Sequence, residues 1–196
     1  MFPKLVAFDT EGIIFTGQLS EDVWGKGPTA APKPMDNIHK VDEFTLEDKS
    51  NRNNKIKMSP DIPRIINDLL SKGASLAIVS RNTNKDLCDR ALYYFQAKDP
   101  KSGEMKSIIK LVRYDEVVNE PKSEHFKRIH KWSKCNYTDM VLFDNKALQA
   151  VKNLGVVVNK CSPETGLSFE TYSKGIERWA VNLKQNNGPA QNLKGI

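Results

Sequence analysis

No stretch of this 196-residue chain approaches the ~20 consecutive apolar residues that a membrane-spanning helix needs. The longest apolar runs, Leu5–Phe8 and Ala74–Val79, are strand-sized. Cysteine is scarce. Cys88, Cys135 and Cys161 are odd in number, far apart and form no CxxC, which argues against a disulfide framework or a zinc site. His39, His125 and His130 have no ligand spacing and read as surface or packing residues. There is no internal repeat. The opening Met-Phe-Pro-Lys-Leu runs directly into a strand, leaving no room for a signal peptide. The expectation is a soluble, cytoplasmic globular protein that does not engage membranes.

What the chain does have is charge of both signs. Thirty Lys and Arg face 24 Asp and Glu, a formal net charge of +6. The bases are scattered among the acids instead of forming a stripe with aromatics, so the reading is against nucleic acid. The densest basic stretch, Lys122 to Lys134, carries Phe126, Ile129 and Trp132 at helical spacing. Its charges therefore read as the solvated face of an amphipathic helix, with an anion-attracting face as the alternative.

The order of elements indicates the fold class. Lys4–Asp9 is a short apolar run ending in a carboxylate, followed by Thr10-Glu11-Gly12 as a turn. Residues 16–58 are rich in Pro, Asn, Lys and Asp and too long for an ordinary loop, so they read as a small cap-like insertion with a little β structure near Val41–Leu46 and Lys55–Met58. Ser59-Pro60 then starts a helix whose stripe of Ile62, Ile65, Ile66, Leu69 and Leu70 ends at Gly73. Strands follow at Ala74–Val79, Ile108–Val112, Asp139–Phe143 and Val156–Val158. Helices alternate with them near Lys85–Phe95 (capped by Thr83 or Asn82), Ser123–Lys134 and Lys146–Asn153, and a last helix spans Phe169–Lys184. Such alternation predicts an α/β fold, doubly wound, with a mostly parallel sheet and helices on both faces. A single domain over 1–184, with the insertion at 16–58 and a loose tail over 185–196, is the expected organisation.

In an open parallel sheet, ligands bind outside the carboxyl ends of the strands. The residues there are Asp9 and Glu11, Ser80-Arg81-Asn82, the Asn119-Glu-Pro-Lys122 loop before a helix, and Asp144-Asn145. Asp9 and Asp144 can hold a hard divalent cation, since Mg²⁺ takes one or two carboxylates plus water and phosphate oxygens. That cation and Lys122 would offset the repulsion between a phosphate and Asp9. Asp9 could then attack phosphorus, giving an aspartyl-phosphate. Ser80, at a helix N-terminus, offers a hydroxyl and backbone N–H groups to phosphoryl oxygens. Glu11 is placed to protonate a leaving group and later activate water. Taken singly, each has a plain structural reading: Asp9 a turn or cap residue, Ser80 a cap, Lys122 a surface charge, Asp144-Asn145 a helix cap. Only together do they point to chemistry.

Phe8-Asp9-Thr10-Glu11-Gly12, Val79-Ser80-Arg81, Pro121-Lys122 and Leu142-Phe143-Asp144-Asn145 resemble the four motifs of the haloacid dehalogenase (HAD) superfamily. Lys122-Ser-Glu-His125-Phe126 and Leu154-Gly-Val156 are further similar to the small magnesium-dependent phosphatases of eukaryotes. The resemblance covers about residues 3–158, least so in the insertion. It implies a HAD-like fold and a Mg²⁺-dependent phosphomonoester hydrolase. Asp9 would be nucleophile and metal ligand, and Glu11 general acid/base with its carbonyl on the metal. Ser80, Arg81 and Lys122 would hold phosphate, and Asp144 would complete the metal site. The family has a second aspartate where this chain has Glu11, and usually a second acid where it has Asn145. Glu11 is long enough to reach by another rotamer and Gly12 gives the loop room, so Glu11→Asp is expected to keep or raise activity. A small insertion implies an open mouth for a phosphorylated small molecule or a phosphorylated or otherwise modified protein side chain. The alternatives are a catalytically impaired HAD-like binding or scaffold protein, and a HAD-type hydrolase of another substrate class.

Overall fold

The computed structural model of the chain describes residues 1–187. Its frame is a five-stranded parallel sheet built from β1 (Leu5–Phe8), β6 (Ser75–Ser80), β9 (Val112–Val117), β10 (Met140–Asp144) and β11 (Val157–Lys160). The order across the sheet is β11-β10-β1-β6-β9, so the chain winds outward from β1 and then returns to its other side. The switch point lies between β1 and β10, where Leu5 pairs with Met140 and Phe8 with Phe143. That register carries the next residue of each strand, Asp9 and Asp144, to one rim.

Side-chain alternation along each strand separates two cores. Val6, Phe8, Leu76, Ile78, Val141 and Phe143 face one side. There they meet α1 (Ile62–Ser71), α2 (Lys85–Tyr94) and α6 (Phe169–Asn187). Leu5, Ala7, Ala77, Val79 and Leu142 face the other side, covered by Phe126 and Ile129 of α4 (Lys122–Ser133) and Val151 of α5 (Gln149–Lys152). Helices thus cover both faces of a parallel sheet, as the alternation of elements implies. No helix among the described residues is long and apolar enough to cross a membrane.

The insertion is more ordered than its composition suggests. β2 (Phe15–Thr16), β3 (Ile38–Lys40), β4 (Thr45–Asp48) and β5 (Asn51–Met58) form an antiparallel sheet in the order β2-β5-β4-β3. Leu19, Trp24, Ile38, Leu46 and Ile56 are buried in the same apolar cluster as Phe8 and Phe95, which anchors a segment where only a little β structure was expected. Asp48 is buried too, accepting N–H bonds from Gly25 and Ser50, both at 2.8 Å.

Several local expectations shift. Ile108–Val112 is not a strand: Ile108–Leu111 is a single helical turn, α3, and the strand is Val112–Val117. A short apolar run does not by itself distinguish the two. β9 pairs only with β6 and so tolerates the polar Arg113, Asp115 and Glu116 of an edge strand. A hairpin of β7 (Gln96–Lys98) and β8 (Met105–Ser107) precedes it. The cap of α2 is Asn84, whose side chain accepts the Leu87 N–H at 2.9 Å. Helix α5 is shorter than the Lys146–Asn153 pattern. Trp132 is exposed, because the buried face of α4 runs through Lys122, His125, Phe126 and Ile129, leaving position 132 at its edge. Helix α6 continues through Asn187, so Gln185 to Asn187 are helical; the rest of the expected tail, 188–196, lies outside the described residues.

Candidate active site

β1 ends at Phe8, and the Asp9 N–H donates across the sheet to the Phe143 carbonyl at 3.1 Å. The chain then coils through a single turn, with the Ile14 N–H donating to the Thr10 carbonyl at 2.9 Å, before entering β2. Gly12 takes φ +78°, and a Cβ there would lie 2.9 Å from Pro163 Cβ and 3.0 Å from Asn145 Nδ2. Glycine is therefore required at 12 by backbone and packing together, and the loop lacks the room to adjust that the sequence suggested.

Two carboxylates meet at one buried cation. Lys122 Nζ lies 2.7 Å from Asp9 Oδ2 and also contacts Asp144 Oδ2. Lys122 is the first residue of α4, Asp144 is fully buried, and Asp9 is partly open to solvent. The other oxygen of each carboxylate accepts a backbone N–H, Asp9 Oδ1 from Thr10 and Asp144 Oδ1 from Lys146, both at 2.8 Å. Burial pushes the Asp144 carboxyl above its ordinary range, with Lys122 pulling the other way.

Above this floor opens a cleft of about 310 Å³ lined by Asp9, Thr10, Glu11, Ser80, Arg81 and Asn145 among others. All seven predicted site residues therefore gather at one rim: five line the cleft, and Lys122 and Asp144 lie behind Asp9. The Ser80 hydroxyl is held by Thr10 Oγ1 at 2.9 Å and accepts the Asn82 N–H at 3.3 Å. Arg81 is exposed and donates to Asn119 Oδ1 at 3.0 Å. Asn145 Nδ2 donates to the Glu11 carbonyl at 3.2 Å, the carbonyl that the motif resemblance assigns to a metal. Glu11 Oε1 accepts the Leu19 N–H at 3.0 Å. Burial raises the Glu11 carboxyl above its ordinary range, the Leu19 bond partly offsetting this, so it keeps a proton to higher pH than a free glutamate.

The donor set fits a hard cation. Asp9 and Asp144 converge on the Lys122 ammonium, two carboxylates against one positive charge. Among the described residues no group of three His, Cys, Asp or Glu side chains converges. Two carboxylates with the remaining positions left to carbonyl and water match what Mg²⁺ accepts.

Sequence reading missed part of the wall. Thr10 sits inside the first motif and was given no role, and Asn82 was placed at the strand end without one. Gln18, Ser20 and Asp22 come from the insertion and line the cleft with no local signal.

Comparison with known proteins places the chain in a family. A HAD-like hydrolase superfamily protein of Schizosaccharomyces pombe is 29% identical over 174 residues, covering 88% of this chain and 94% of the relative. Human magnesium-dependent phosphatase 1 is 22% identical over 187 residues, covering 95% and 91% respectively. Among solved structures, a HAD-family enzyme of Bacteroides thetaiotaomicron in complex with magnesium and inorganic phosphate superposes with a TM-score of 0.58. It is 10% identical and covers 87% of this chain and 98% of its own, a likeness of fold. The acid phosphatase family matches residues 1–182, nearly the whole of the described chain. The chain belongs to the acid phosphatase family and has the HAD fold.

Proposed function

We propose that the chain hydrolyses phosphomonoesters in two displacements through Asp9, with Mg²⁺ as its cofactor. The observation that carries this reading is the meeting of Asp9 and Asp144 on one buried ammonium at the floor of the cleft. Asp9, Asp144 and the Glu11 carbonyl would hold Mg²⁺, which when bound supplies charge to offset that of the phosphoryl oxygens. A carboxylate oxygen of Asp9 attacks phosphorus while the ester P–O bond breaks. Glu11 gives its proton to the departing oxygen, releasing an alcohol and leaving an aspartyl-phosphate. The Glu11 carboxylate then takes a proton from water, whose oxygen attacks phosphorus. The bond to Asp9 breaks, inorganic phosphate leaves, and both carboxyl groups return to their starting states. Ser80 and Arg81 orient the phosphoryl oxygens, and Lys122 offsets charge from behind Asp9. The substrate is a phosphorylated small molecule or a phosphorylated protein side chain.

The test is turnover of an aryl phosphate panel with Mg²⁺ and with chelator. Wild type should turn over only with Mg²⁺, and Asp9→Asn should be inert, because an amide is a poor nucleophile and a poor ligand for a hard cation. Equal inertness of both proteins overturns the catalytic reading. Asn145 favours a second reading, a non-catalytic binding protein, since its amide occupies the Glu11 carbonyl. Vanadate binding retained without turnover would support that alternative.

A further inference from the structure

Leu19 belongs to the insertion, yet both polar groups of its backbone end at the cleft. Its N–H donates to Glu11 Oε1 at 3.0 Å, and its carbonyl accepts from Asn82 Nδ2 at 2.5 Å. The Leu19 side chain is fully buried with Trp24, whose indole N–H donates to the neighbouring Gln18 carbonyl at 2.7 Å. The backbone here is therefore held by packing as well as by hydrogen bonds. Asn82 is braced in turn: its N–H donates to Ser80 Oγ at 3.3 Å, and its Oδ1 accepts the Asn84 N–H at 2.9 Å. One chain of bonds thus links the end of β6 to the insertion and the insertion to the carboxyl of Glu11. Among the described residues Glu11 Oε2 has no hydrogen-bond partner, which leaves one carboxyl oxygen for the cleft.

An aspartate at position 11 would be one methylene shorter, about 1.5 Å of reach. From 3.0 Å, that loss takes its oxygen beyond hydrogen-bonding distance of the Leu19 N–H. We propose that the Leu19 backbone, fixed by Asn82, is the positioning element for the Glu11 carboxyl, and that this is why glutamate stands at 11. Glu11→Asp then lowers activity, the reverse of what motif comparison alone suggests. The inference rests on Glu11 as the acid of the proposed hydrolysis.

The test uses phenyl phosphate and 4-nitrophenyl phosphate, nearly alike in shape but unlike in the leaving group's need for a proton. With Mg²⁺ present, kcat/KM is measured for wild type, Glu11→Asp and Asn82→Ala. A misplaced acid should cost roughly 100-fold on phenyl phosphate in Glu11→Asp and about tenfold in Asn82→Ala. On 4-nitrophenyl phosphate the loss should be several times smaller, with the change in kcat and KM nearly constant. Amide hydrogen exchange at Leu19 gives a readout independent of turnover. Protection should fall in Glu11→Asp and persist in Glu11→Gln, whose amide oxygen still accepts the N–H. Equal losses on both esters, or unchanged Leu19 protection in Glu11→Asp, overturn this inference alone. Absence of any Mg²⁺- and Asp9-dependent turnover in wild type overturns the hydrolytic reading and this inference with it.

Discussion

Replacing Lys122 with methionine removes the positive charge set between two carboxylates while nearly preserving side-chain volume. Asp9 Oδ2 and Asp144 Oδ2 both touch the same nitrogen, so without it they face each other across no more than about 5 Å, and at an effective dielectric of ~20 they repel by about 3 kcal/mol or more. That agrees with the ~3–5 kcal/mol typical of breaking a buried ion pair by removing one partner. The cost is capped by protonation. Taking up a proton costs an ordinary aspartate about 4 kcal/mol at pH 7 but only about 1.5 kcal/mol at pH 5. Lys122→Met should therefore be about 3 kcal/mol less stable than wild type at pH 7, roughly 6–12 °C in Tm for a chain of this size. The deficit should shrink to about half at pH 5. Mg²⁺ should raise the Tm of the variant more than that of wild type, because without the ammonium the two carboxylates offer the cation more uncompensated charge; at ~100-fold excess over Kd the gain is about 2.7 kcal/mol. Vanadate binding should weaken in parallel. The assay is thermal unfolding at both pH values, with and without Mg²⁺. A variant as stable as wild type at pH 7, with the same vanadate affinity, would refute the electrostatic account of this floor.

Three further outcomes follow from other parts of the molecule. Asp144→Asn should lose the Mg²⁺-dependent rise in Tm while staying folded, which differential scanning fluorimetry reads directly; an undiminished rise removes Asp144 from the metal site. His125 is fully buried with Nδ1 at 3.2 Å from the Glu116 carbonyl, and burial holds its pKa below the ordinary 6.5. The unfolded chain then binds the proton first, so wild-type stability should fall as pH drops below about 6.5, by up to ~1.4 kcal/mol per unit, until the folded-state pKa is reached. Urea titrations should show that slope reduced in His125→Gln. Gly175 lies in α6 against Phe143, and a Cβ there would sit 2.5 Å from the ring. Gly175→Ala should therefore destabilise by about 1–3 kcal/mol despite the helix propensity gained, as measured by urea denaturation.

The sequence by itself determined the class of fold and where a candidate site would lie. Periodicity separated most strands from helices because buried parallel strands such as Leu5–Phe8 are continuously apolar, whereas α1 carries its Ile and Leu at helical spacing; it failed at the short apolar run Ile108–Leu111, which is a helical turn. The rule that ligands bind at carboxyl strand ends then selected Asp9, Glu11, Ser80, Arg81, Lys122, Asp144 and Asn145, all of which gather at one rim. Only tertiary structure decided how these groups are partnered. Nothing local says that Lys122 spans Asp9 and Asp144, because those contacts depend on the return of β10 to the side of β1. A Pro- and Asn-rich insertion showed only a little β structure near Val41–Leu46 and Lys55–Met58; that it closes into a four-stranded sheet was not legible, because its few apolar side chains are stabilised by a core they do not make themselves. The reach of Glu11 was equally hidden: whether its extra methylene misplaces the acid or fits it depends on where the Leu19 N–H comes to rest, and packing around Leu19 and Trp24 sets that.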